Sequence, residues 1–538
     1  MNYVGTARPI HDAKGKATGY TKYAGDLSLP NMAYLCMLHS KIPHGYVKAV
    51  HAEKALALPG VYGVYHCLNT TDRKYNRYRS NFDQSYLPNE ECAFNDYVRF
   101  MGDKIGVVAA CDQETAERAA RLVEVEYEEL PFSIGFDDTL AGKNCLEGET
   151  PVRDEYTLEV GKKQESTEGL IEVCSTMELP RLHHATMETH ACIADYDPYS
   201  DMLTVYCPNQ AVHGIRTVLA DFLEMPESHV RVVKATMGGS FGAKQEWFLE
   251  PVTALVAKKL CRPVKLVYSR GEAMTDTIVR GAMRMSARGY YTPDGEMKEI
   301  YCDVTLDAGA YIGNAGDYVR ALAGKPTRCY RIPYMHYHGQ VISSNSPVSG
   351  AFRSWSAAEE ALMMERQLDA AAEKLGMDRL AIRLKNVARS GEEDKKLHLS
   401  LEDIRIGDAI TLGSEKFGWD KLKAEDAAFN ASQQRYRRGV GIGIGGHGNT
   451  YFPRFNDYGE GSISLNADGS MQANFTLHDH GCGTVTAMRM IAAEVLKVPE
   501  DKIYMTEGDT AVTPIDYGCF ASRTTYVVGA PCRMRRTP

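Results

Sequence analysis

The sequence predicts an α+β protein, in which helices and strands are mixed without the regular βαβ alternation of a parallel sheet. Turn residues at Pro293–Gly295 and at Asp468–Gly469 are each flanked by strand-like segments, which predicts two β-hairpins. A strongly amphipathic segment from about Ala357 to Leu375 predicts one long helix. Strands and helices therefore both contribute to the core, and no repeat of fixed period organises them.

The N-terminal part, residues 1–130, ends in a helix followed by a strand. Asp112 is placed to cap a helix that runs through Leu122, and the segment VEVEYEELP that follows alternates in polarity as a strand does. In the helix predicted near residue 357, one face is apolar and Gly376 ends it. That face carries Ala361, Met364, Leu368, Ala371 and Leu375.

Two polar stretches suggest where the chain divides. Residues 134–170, with GKNCLEGET and GKKQESTEG, are predicted to form a linker, and residues 390–438, with SGEEDKK and QQRYRRG, are predicted to separate two halves of the larger region. A length of 538 residues is enough for three or four domains.

Composition excludes several classes of function. The net charge of −9 provides no basic field for nucleic acid, and there is no apolar run long enough to cross a membrane and no apolar leader. The 14 cysteines are scattered without a CxxC, the closest being Cys519 and Cys532, which argues against zinc or iron–sulfur sites within this chain. We therefore expect a cytoplasmic protein with free thiols.

Three glycine-rich loops are candidate anion sites. ATMGGSFGAK (Ala235–Lys244) lies between the strand-like VRVVKAT and the helix-like EWFLEPVTALVAKKL, and LHDHGCGT (Leu477–Thr484) opens a helix that runs through Leu496. SGAFRSWSAA (Ser349–Ala358) adds the permanent charge of Arg353. Together they suggest one extended, phosphate-bearing cofactor, while each alone is also compatible with an ordinary turn. GVGIGIGGHG (Gly439–Gly448) matches GxGxxG weakly, without a following helix, and is predicted to be a glycine-rich strand or turn.

These motifs occur in an order that resembles the molybdenum-cofactor subunits of the xanthine dehydrogenase/aldehyde oxidase family, over nearly the whole chain. The segments that carry the resemblance are VGTARPIHDAKGKATGYTKYAGDL, VRFMGDKIGVVAA, VEVEYEELP, RLHHATMETHACIADYD, MGGSFGAK, YRIP, GAFRSW, DAAAEKLGMDRLAIRLKN and EGDTAVTP. The resemblance implies an N-terminal α/β hammerhead domain (1–133), the linker (134–170), a first molybdopterin-binding α+β domain (171–400) and a second, incomplete one (401–538).

The resemblance also implies a set of cofactor-binding residues. Gln210 in PNQAVH, Phe241, Arg353 and Ala521 match the pocket around the molybdenum, with the bare loop at Phe241 lying against the cofactor. The remaining contacts to the cofactor are expected from Gly239, Gly242, Gly481, Cys482, Gly483 and Ser522. Cys482 stands where the family usually has Gln.

For the substrate, the resemblance implicates Gln245, Arg320 and Trp355. An amide, a guanidinium and an indole together suit a flat ring rich in heteroatoms, so a purine-like N-heterocycle is the expected substrate. Gln245 replaces the Glu of the purine hydroxylases, which leaves xanthine itself in doubt, and an aldehyde substrate is the alternative. The alternative to substrate binding is a structural role: Arg320 as a surface residue and Trp355 as part of the core.

The implied activity is an oxidative hydroxylation with water as the oxygen source. The family's catalytic Glu lies in a GxGE motif beyond EGDTAVTP and has no counterpart here, so a general base is expected from a second molybdopterin chain. Glu188 in TMETH is not assigned that role. The cofactor is molybdenum-molybdopterin, with the cytosine dinucleotide as one form of it, and [2Fe-2S] and FAD are expected on partner subunits. A non-catalytic cofactor-binding fragment and an unrelated nucleotide-binding protein are the competing hypotheses.

Overall fold

The computed structural model describes residues 3–78, 87–143, 146, 148, 150–432, 435–449, 451 and 456–533. Its N-terminal elements confirm the helix-then-strand unit, since Asp112 accepts a hydrogen bond from the backbone N–H of Thr115 at 2.7 Å and caps a helix that leads into a strand. They are α1 (Ala13–Ala17), β1 (Ala33–His39), β2 (Gly45–His51), α2 (Glu53–Leu56), β3 (Val61–His66), β4 (Tyr97–Val98), β5 (Lys104–Ala110), α3 (Gln113–Ala120) and β6 (Glu124–Glu129).

The middle of the chain supplies the largest share of the regular structure. Its elements are α4 (Phe136–Leu140), β7 (Val152–Gly161), β8 (Ile171–Leu179), β9 (Ala191–Asp197), β10 (Met202–Cys207), α5 (Val212–Leu223), β11 (Val230–Lys234), α6 (Glu250–Leu260), β12 (Val264–Val267), α7 (Arg270–Asp276), β13 (Ala282–Tyr291), β14 (Met297–Asp307), α8 (Ala315–Ala323), α9 (Pro326–Cys329), β15 (Tyr334–Ile342), α10 (Ala357–Leu375) and α11 (Arg379–Asn386).

The C-terminal part of the chain supplies the remaining elements. They are β16 (Glu393–Asp394), β17 (Leu399–Ser400), α12 (Ile406–Phe417), α13 (Trp419–Ser432), β18 (Gly461–Leu465), β19 (Met471–Phe475), α14 (Thr484–Leu496) and β20 (Ile503–Thr506). Both predicted hairpins are confirmed, because β13 pairs antiparallel with β14 and β18 with β19 across the expected turns.

A seven-stranded mixed sheet joins the N-terminal part to the region that follows it. Its strand order is β11-β10-β9-β12-β1-β5-β3, and the junction is the parallel pair of β1 with β12, where Ala33 lies opposite Val264. Helices α5 and α6 pack on this sheet and bury their apolar faces, including Val218 and Val252. Residues 1–133 therefore share one hydrogen-bonded layer with the chain beyond them.

The second large sheet corrects the predicted linker. Its strand order is β7-β15-β14-β13-β8, and β7, which lies inside the stretch 134–170, pairs antiparallel with β15 over its whole length. Alternating side chains of β7 are exposed, as expected of an edge strand, and this gives the segment the polar composition of a linker. Residues 144, 145, 147 and 149 of that stretch lie outside the described residues.

Helix α10 has the predicted bounds, and Gly376 ends it in the left-handed conformation with φ of +63°. Met364, Leu368 and Ala371 are buried against the five-stranded sheet, whereas Ala361 and Leu375 at the margins of that face are half-buried. The second polar stretch, 390–438, contains β16, β17, α12 and α13, so it is largely structured within the described residues. No helix among the described residues is long and apolar enough to cross a membrane.

Candidate active-site cavity

A cavity of about 1380 Å³ is lined by segments from the middle and from the C-terminal part of the chain. Of the thirteen site residues expected from the sequence, twelve line it, although they are spread from Gln210 to Ser522 along the chain. They are Gln210, Phe241, Gly242, Gln245, Arg320, Arg353, Trp355, Gly481, Cys482, Gly483, Ala521 and Ser522. Gly239 does not line the cavity.

The loop 235–244 does not lead directly into a helix, which corrects the predicted strand-to-helix connection. Helix α6 begins only at Glu250, because Pro251 lacks an N–H and its ring is tolerated only in the first turn. The helix N-terminus therefore does not coincide with the end of the loop, and a side chain fixes the loop instead. The Glu188 carboxylate accepts hydrogen bonds from the Gly238 N–H at 2.7 Å and from the buried Lys244 ammonium at 2.5 Å.

The glycines of this loop are required first by the protein's own packing. A Cβ on Gly238 would lie 2.5 Å from the Cβ of Glu188, and one on Gly242 would lie 2.5 Å from the carbonyl oxygen of Ala351. Gly239 has a φ of +91° and faces the ring of Phe241. The explanation from the sequence, that the loop is bare to admit a cofactor, is therefore incomplete. Of the loop itself, only Phe241 and Gly242 line the cavity, and Gln245 lines it just beyond the loop.

Gln210 is held with its amide in a defined orientation. Its Nε2 donates to the carbonyl oxygen of Cys519, which can only accept, so the amide nitrogen must be on that side. Its Oε1 accepts from the hydroxyl of Ser240, and its backbone N–H donates to the Lys244 carbonyl at 2.9 Å. One N–H of a buried, neutral amide remains at the cavity wall.

In the loop 477–484, a carboxylate of the loop itself accepts hydrogen bonds from several of the backbone N–H groups. Asp479 accepts from the N–H groups of Gly481 at 2.8 Å, Gly483 at 3.2 Å and Val485 at 3.2 Å. Burial acts to raise the pKa of Asp479, but these hydrogen bonds outweigh burial and hold the pKa below its usual value. Helix α14 begins at Thr484 as predicted, with Gly483 as its N-cap.

Cys482 lies at the exposed tip of this loop and hydrogen-bonds to the buried Cys519. That hydrogen bond, together with His480, holds the pKa of the Cys482 thiol well below its ordinary value. Thr524 donates to the Cys519 sulfur at 3.1 Å, so the two thiols form one polar cluster on the cavity wall.

The loop before α10 has a strained backbone. Ser354, Trp355 and Ser356 have φ values of +78°, +21° and +61°, a conformation that costs about 1–3 kcal/mol for each non-glycine residue. The ammonium of Lys325 stabilises this turn by donating to the Trp355 carbonyl and the Ser356 hydroxyl, each at 2.5 Å. Arg353, just before the turn, extends an exposed guanidinium along the cavity.

Other segments that line the cavity are also strained. Ala521 and Ser522 are consecutive residues with φ values of +51° and +50°, and Phe241 has a φ of +57°. Backbone strain of this kind persists where the surrounding structure enforces a particular geometry, which is common at functional sites. Five of the cavity-lining residues are therefore non-glycine residues in the left-handed region: Phe241, Ser354, Trp355, Ala521 and Ser522.

Arg320 lines the cavity but is already engaged. Its two terminal nitrogens donate to the two carboxylate oxygens of Asp154 at 2.6 and 2.8 Å, in the bidentate geometry typical of strong pairs. Trp355 is half-buried, with Tyr78 and Tyr318 packed near its ring. Gln245 is buried at the wall, whereas the neighbouring Glu246 points away and accepts from the Ala351 N–H at 3.1 Å.

Sequence reasoning missed one wall of the cavity, formed by Lys325, Arg328, Lys396 and His447. The signal that could have found it is the glycine-rich segment 439–448, which forms neither the predicted strand nor a turn. It has no regular secondary structure and packs against α9 and α10, where a Cβ on Gly446 would lie 2.6 Å from the Cys329 sulfur and one on Gly445 would lie 3.7 Å from the Cβ of Ala361. Among the described residues, no group of three or more His, Cys, Asp or Glu side chains is arranged to hold a metal ion alone.

Comparison with known proteins identifies related domains. Residues 18–131 match the aldehyde oxidase and xanthine dehydrogenase a/b hammerhead domain, and residues 149–387 and 412–534 match the molybdopterin cofactor-binding domain. The xanthine dehydrogenase molybdenum-binding subunit of Escherichia coli O157:H7 is 30% identical over 534 residues, covering 97% of this chain and 70% of that protein.

A second relative and a solved structure agree with these matches. The carbon monoxide dehydrogenase large chain of Hydrogenophaga pseudoflava is 30% identical over 551 residues, covering 95% of this chain and 67% of that protein. The crystal structure of quinoline 2-oxidoreductase from Pseudomonas putida 86 superposes with a TM-score of 0.90 at 22% identity, over 99% of this chain and 70% of that chain. At that identity the superposition establishes the fold.

Proposed function

The chain belongs to the xanthine dehydrogenase/aldehyde oxidase family of molybdenum oxidoreductases, and on that basis we propose that it oxidatively hydroxylates a purine-like N-heterocycle, with water as the oxygen source. The observation that carries the proposal is the convergence of twelve expected residues, from segments far apart in the chain, on a single cavity. A relative named for xanthine supports an N-heterocycle as the substrate.

The cavity fits the cofactor in size and in charge. At about 1380 Å³ it exceeds the range of about 300–1,000 Å³ usual for one small ligand, so a cofactor and a substrate can share it. Among the described lining residues, the Lys and Arg side chains outnumber the single carboxylate, Asp317, which suits a group that bears phosphate. The neutral amide of Gln210 suits an oxo ligand better than a carboxylate would.

Within this cavity we assign different walls to different tasks. Gln210, Phe241, Arg353 and Ala521 would surround the metal, and the loops at Gly242, 481–483 and Ser522 would hold the pterin. When bound, the molybdenum cofactor supplies the oxidation of the substrate carbon. The protein's own residues contribute position and electrostatics: Ser240 and the Cys519 carbonyl fix the Gln210 amide, so that its remaining N–H needs no reorientation during the reaction.

The bidentate pair of Arg320 with Asp154 favours a second candidate function. Because that guanidinium is already bound to a carboxylate, it has fewer donors to offer a substrate heteroatom than the sequence suggested. An aldehyde needs fewer polar contacts, so an aldehyde oxidoreductase is the alternative. We assign the general base to no residue of the cavity, and propose that a Glu from a partner chain fulfils this role. Asp317 is the only carboxylate among the described lining residues, and it lies on α8 in the first turn.

The proposal includes partner subunits that carry electrons. The relatives are themselves named as a molybdenum-binding subunit and a large chain, which supports an assembly in which [2Fe-2S] and FAD reside on other chains. The cytosine dinucleotide form of the pterin is part of the proposal, as is the division into domains at 1–133, 171–400 and 401–538.

The test is purification from the native host, with metal and pterin analysis, identification of the co-purifying chains and turnover in ¹⁸O-labelled water. We expect one molybdenum per chain, a co-purifying chain that carries the general base, and label in the product of a purine substrate. Label in a carboxylic acid formed from an aldehyde, with no purine turnover, would select the alternative. Absence of molybdenum from the intact assembly would overturn both and leave a non-catalytic fragment.

A further inference from the structure

Two cysteines lie side by side on the wall of the cavity, and we call Cys482 and Cys519 the thiol pair. Cys482 is exposed at the tip of the loop 477–484, whereas Cys519 is buried. The Cys519 thiol donates a hydrogen bond to the Cys482 sulfur, and the Thr524 hydroxyl donates to the Cys519 sulfur at 3.1 Å. An exposed thiol in contact with a buried one is an arrangement found in cysteines that respond to oxidants.

The surroundings of the thiol pair favour the ionised form of Cys482. The hydrogen bond from Cys519 and a second one from the His480 ring hold the pKa of Cys482 well below its ordinary value. Burial and the carboxylate of Asp479, 4.0 Å away, act in the opposite direction but are outweighed. Because the thiolate is the form that attacks an oxidant, Cys482 is the nucleophile of the pair.

The other exposed cysteines of the described chain lack this arrangement. They are Cys111, Cys174 and Cys261. Each donates to an oxygen of a nearby residue, at 3.3, 3.7 and 3.6 Å respectively, and the first two of these oxygens belong to carboxylates. A hydrogen bond donated by the thiol stabilises its neutral form, and none of the three has a second cysteine as its described partner. The thiol pair is therefore distinguished by its geometry from the other exposed thiols.

The backbone fixes Cys519 and leaves Cys482 free to approach it. The Cys519 N–H donates to the Gln210 carbonyl at 2.9 Å, and the Cys519 carbonyl accepts from the Gln210 amide. Cys482 lies between Gly481 and Gly483, and nothing lies within 4 Å of a Cβ placed on Gly481. A disulfide requires the two sulfurs to be about 2.05 Å apart, so the glycine-flanked tip can make that approach while Cys519 stays anchored.

We propose that the thiol pair is a modification site, at which a peroxide converts Cys482 and Cys519 into a disulfide. The Cys482 thiolate attacks one peroxide oxygen and the O–O bond breaks, which leaves a sulfenic acid on Cys482, and the other oxygen takes up a proton and leaves as water. Cys519 then attacks the Cys482 sulfur, the S–O bond breaks, and the departing hydroxide takes the Cys519 proton and leaves as water. The two sulfurs lose two electrons in total, which reduce the peroxide to water.

The disulfide would join two segments to which the cofactor is assigned. Gly481, Cys482 and Gly483 on one side and Ser522 on the other are the proposed pterin contacts, so a bound cofactor would cover the thiol pair. We therefore expect oxidation in the cofactor-free chain, where the disulfide prevents uptake of the cofactor until a thiol reductant reopens it. This consequence rests on the proposed function, whereas formation of the disulfide does not.

The test is treatment of the full chain, purified without cofactor and reduced beforehand, with a small molar excess of hydrogen peroxide. The remaining thiols are alkylated, and the peptides are identified by mass spectrometry. We expect the loss of two alkylatable thiols per chain and one linked pair of peptides, which contain Cys482 and Cys519 and which dithiothreitol separates again. Thiols that all stay reduced, or a sulfinic acid on Cys482 without the disulfide, would overturn the proposal.

Three variants check the pairing. Cys482→Ser removes the nucleophile and should leave Cys519 reduced, whereas Cys519→Ser should leave a sulfenic acid on Cys482 that dimedone traps. Cys174→Ser, at an exposed thiol on β8, is the matched control and should leave the yield of disulfide unchanged. Because Cys519 is buried and its replacement can destabilise the chain, the exposed Cys482 variant is decisive. A disulfide between Cys519 and another cysteine in Cys482→Ser would overturn the pairing.

The same treatment of the native assembly, with molybdenum determined on the sample, separates this proposal from the proposed function. Protection of the thiol pair in molybdenum-loaded chains, together with oxidation in cofactor-free chains, would support both. Equal formation of the disulfide in the two samples would support the modification site while overturning the assignment of residues 481–483 and Ser522 to the pterin.

Discussion

The loops 235–244 and 477–484 border the same cavity, and each is rich in glycine and fastened by a carboxylate. In the first loop, the carboxylate of Glu188 comes from a distant segment and binds a buried ammonium as well as a backbone N–H. In the second loop, Asp479 is local and binds backbone N–H groups. The first loop is thus fastened by a carboxylate from a distant segment. The turn of the second loop is fastened mainly by its own carboxylate, although the Asp479 N–H also donates to the distant Glu507 at 3.2 Å.

Their glycines differ in the same way. Gly238 and Gly242 have protein atoms where a Cβ would stand, whereas nothing lies within 4 Å of a Cβ placed on Gly481. One sequence pattern therefore has two physical origins, namely close approach of the chain in the first loop and backbone conformation in the second. Substitutions of these glycines in the first loop should destabilise the fold, and a substitution of Gly481 in the second loop should strain only its own turn.

The largest difference in the free energy of unfolding is expected between the variants Gly242→Ala and Gly481→Ala. At Gly242 the new methyl group would meet the Ala351 carbonyl at 2.5 Å with a φ of +108°, so backbone must move, and we expect a loss of about 3 kcal/mol or more. At Gly481 the φ of +99° costs strain alone, about 1–2 kcal/mol.

Scanning calorimetry of the two purified variants, compared with the unmodified protein, provides the measurement. Gly242→Ala should lower the apparent Tm clearly more than Gly481→Ala does. Equal shifts would mean that the Ala351 backbone yields easily, and the contrast between the loops would then be lost.

A smaller difference in the free energy of unfolding is expected between substitutions of the two carboxylates. Glu188→Gln keeps the size of the side chain but leaves the ammonium of Lys244, whose side chain is 1% exposed, without its counter-charge, so a loss of about 3 kcal/mol is expected. Asp479→Asn retains one acceptor for backbone N–H groups and should cost about 1–2 kcal/mol. The apparent Tm of both variants, measured at neutral pH, checks this order. A larger loss of stability for Asp479→Asn would contradict our assignment of the stronger stabilising contacts to Glu188.

The same contrast explains what the sequence could predict. Local patterns were sufficient for α10, for both hairpins and for the start of α14, since capping, turn residues and periodicity act within a few positions. The start of α6 was predicted too early in the chain, and the stretch that contains strand β7 was predicted to be a linker. Pro251 in fact signals a helix start at that point, and β7 has a polar composition because an edge strand exposes alternate residues.

Motif matching predicted twelve of the residues that line the cavity, but not the ion pairs and hydrogen bonds that hold their side chains. The pairs of Arg320 with Asp154 and of Lys244 with Glu188 join residues far apart in sequence, and no local pattern encodes such contacts. The cavity wall formed by Lys325, Arg328, Lys396 and His447 was missed for the same reason. Lys325, Lys396 and His447 belong to three separate segments that meet only in the folded chain.

The smallest predicted effect concerns the pH dependence of the loop 477–484, whose turn is fastened by its own carboxylate. The folded pKa of Asp479 lies below its unfolded value of about 3.9, because three backbone N–H groups bind the ionised form. Such a group contributes stability that is fully present above the unfolded pKa and is lost as pH falls through the folded pKa.

The difference in apparent Tm between the unmodified protein and Asp479→Asn should therefore be constant from pH 7 down to about 5 and should shrink as the pH falls below about 4. A scan of both proteins in matched buffers measures it. Because Asn cannot ionise, the variant removes only this titration from the profile and leaves those of other carboxylates in place. A difference that stays constant through pH 3 would show that the ionised carboxylate contributes nothing beyond its shape, and that the Gly481–Gly483 turn is held by its backbone conformation alone.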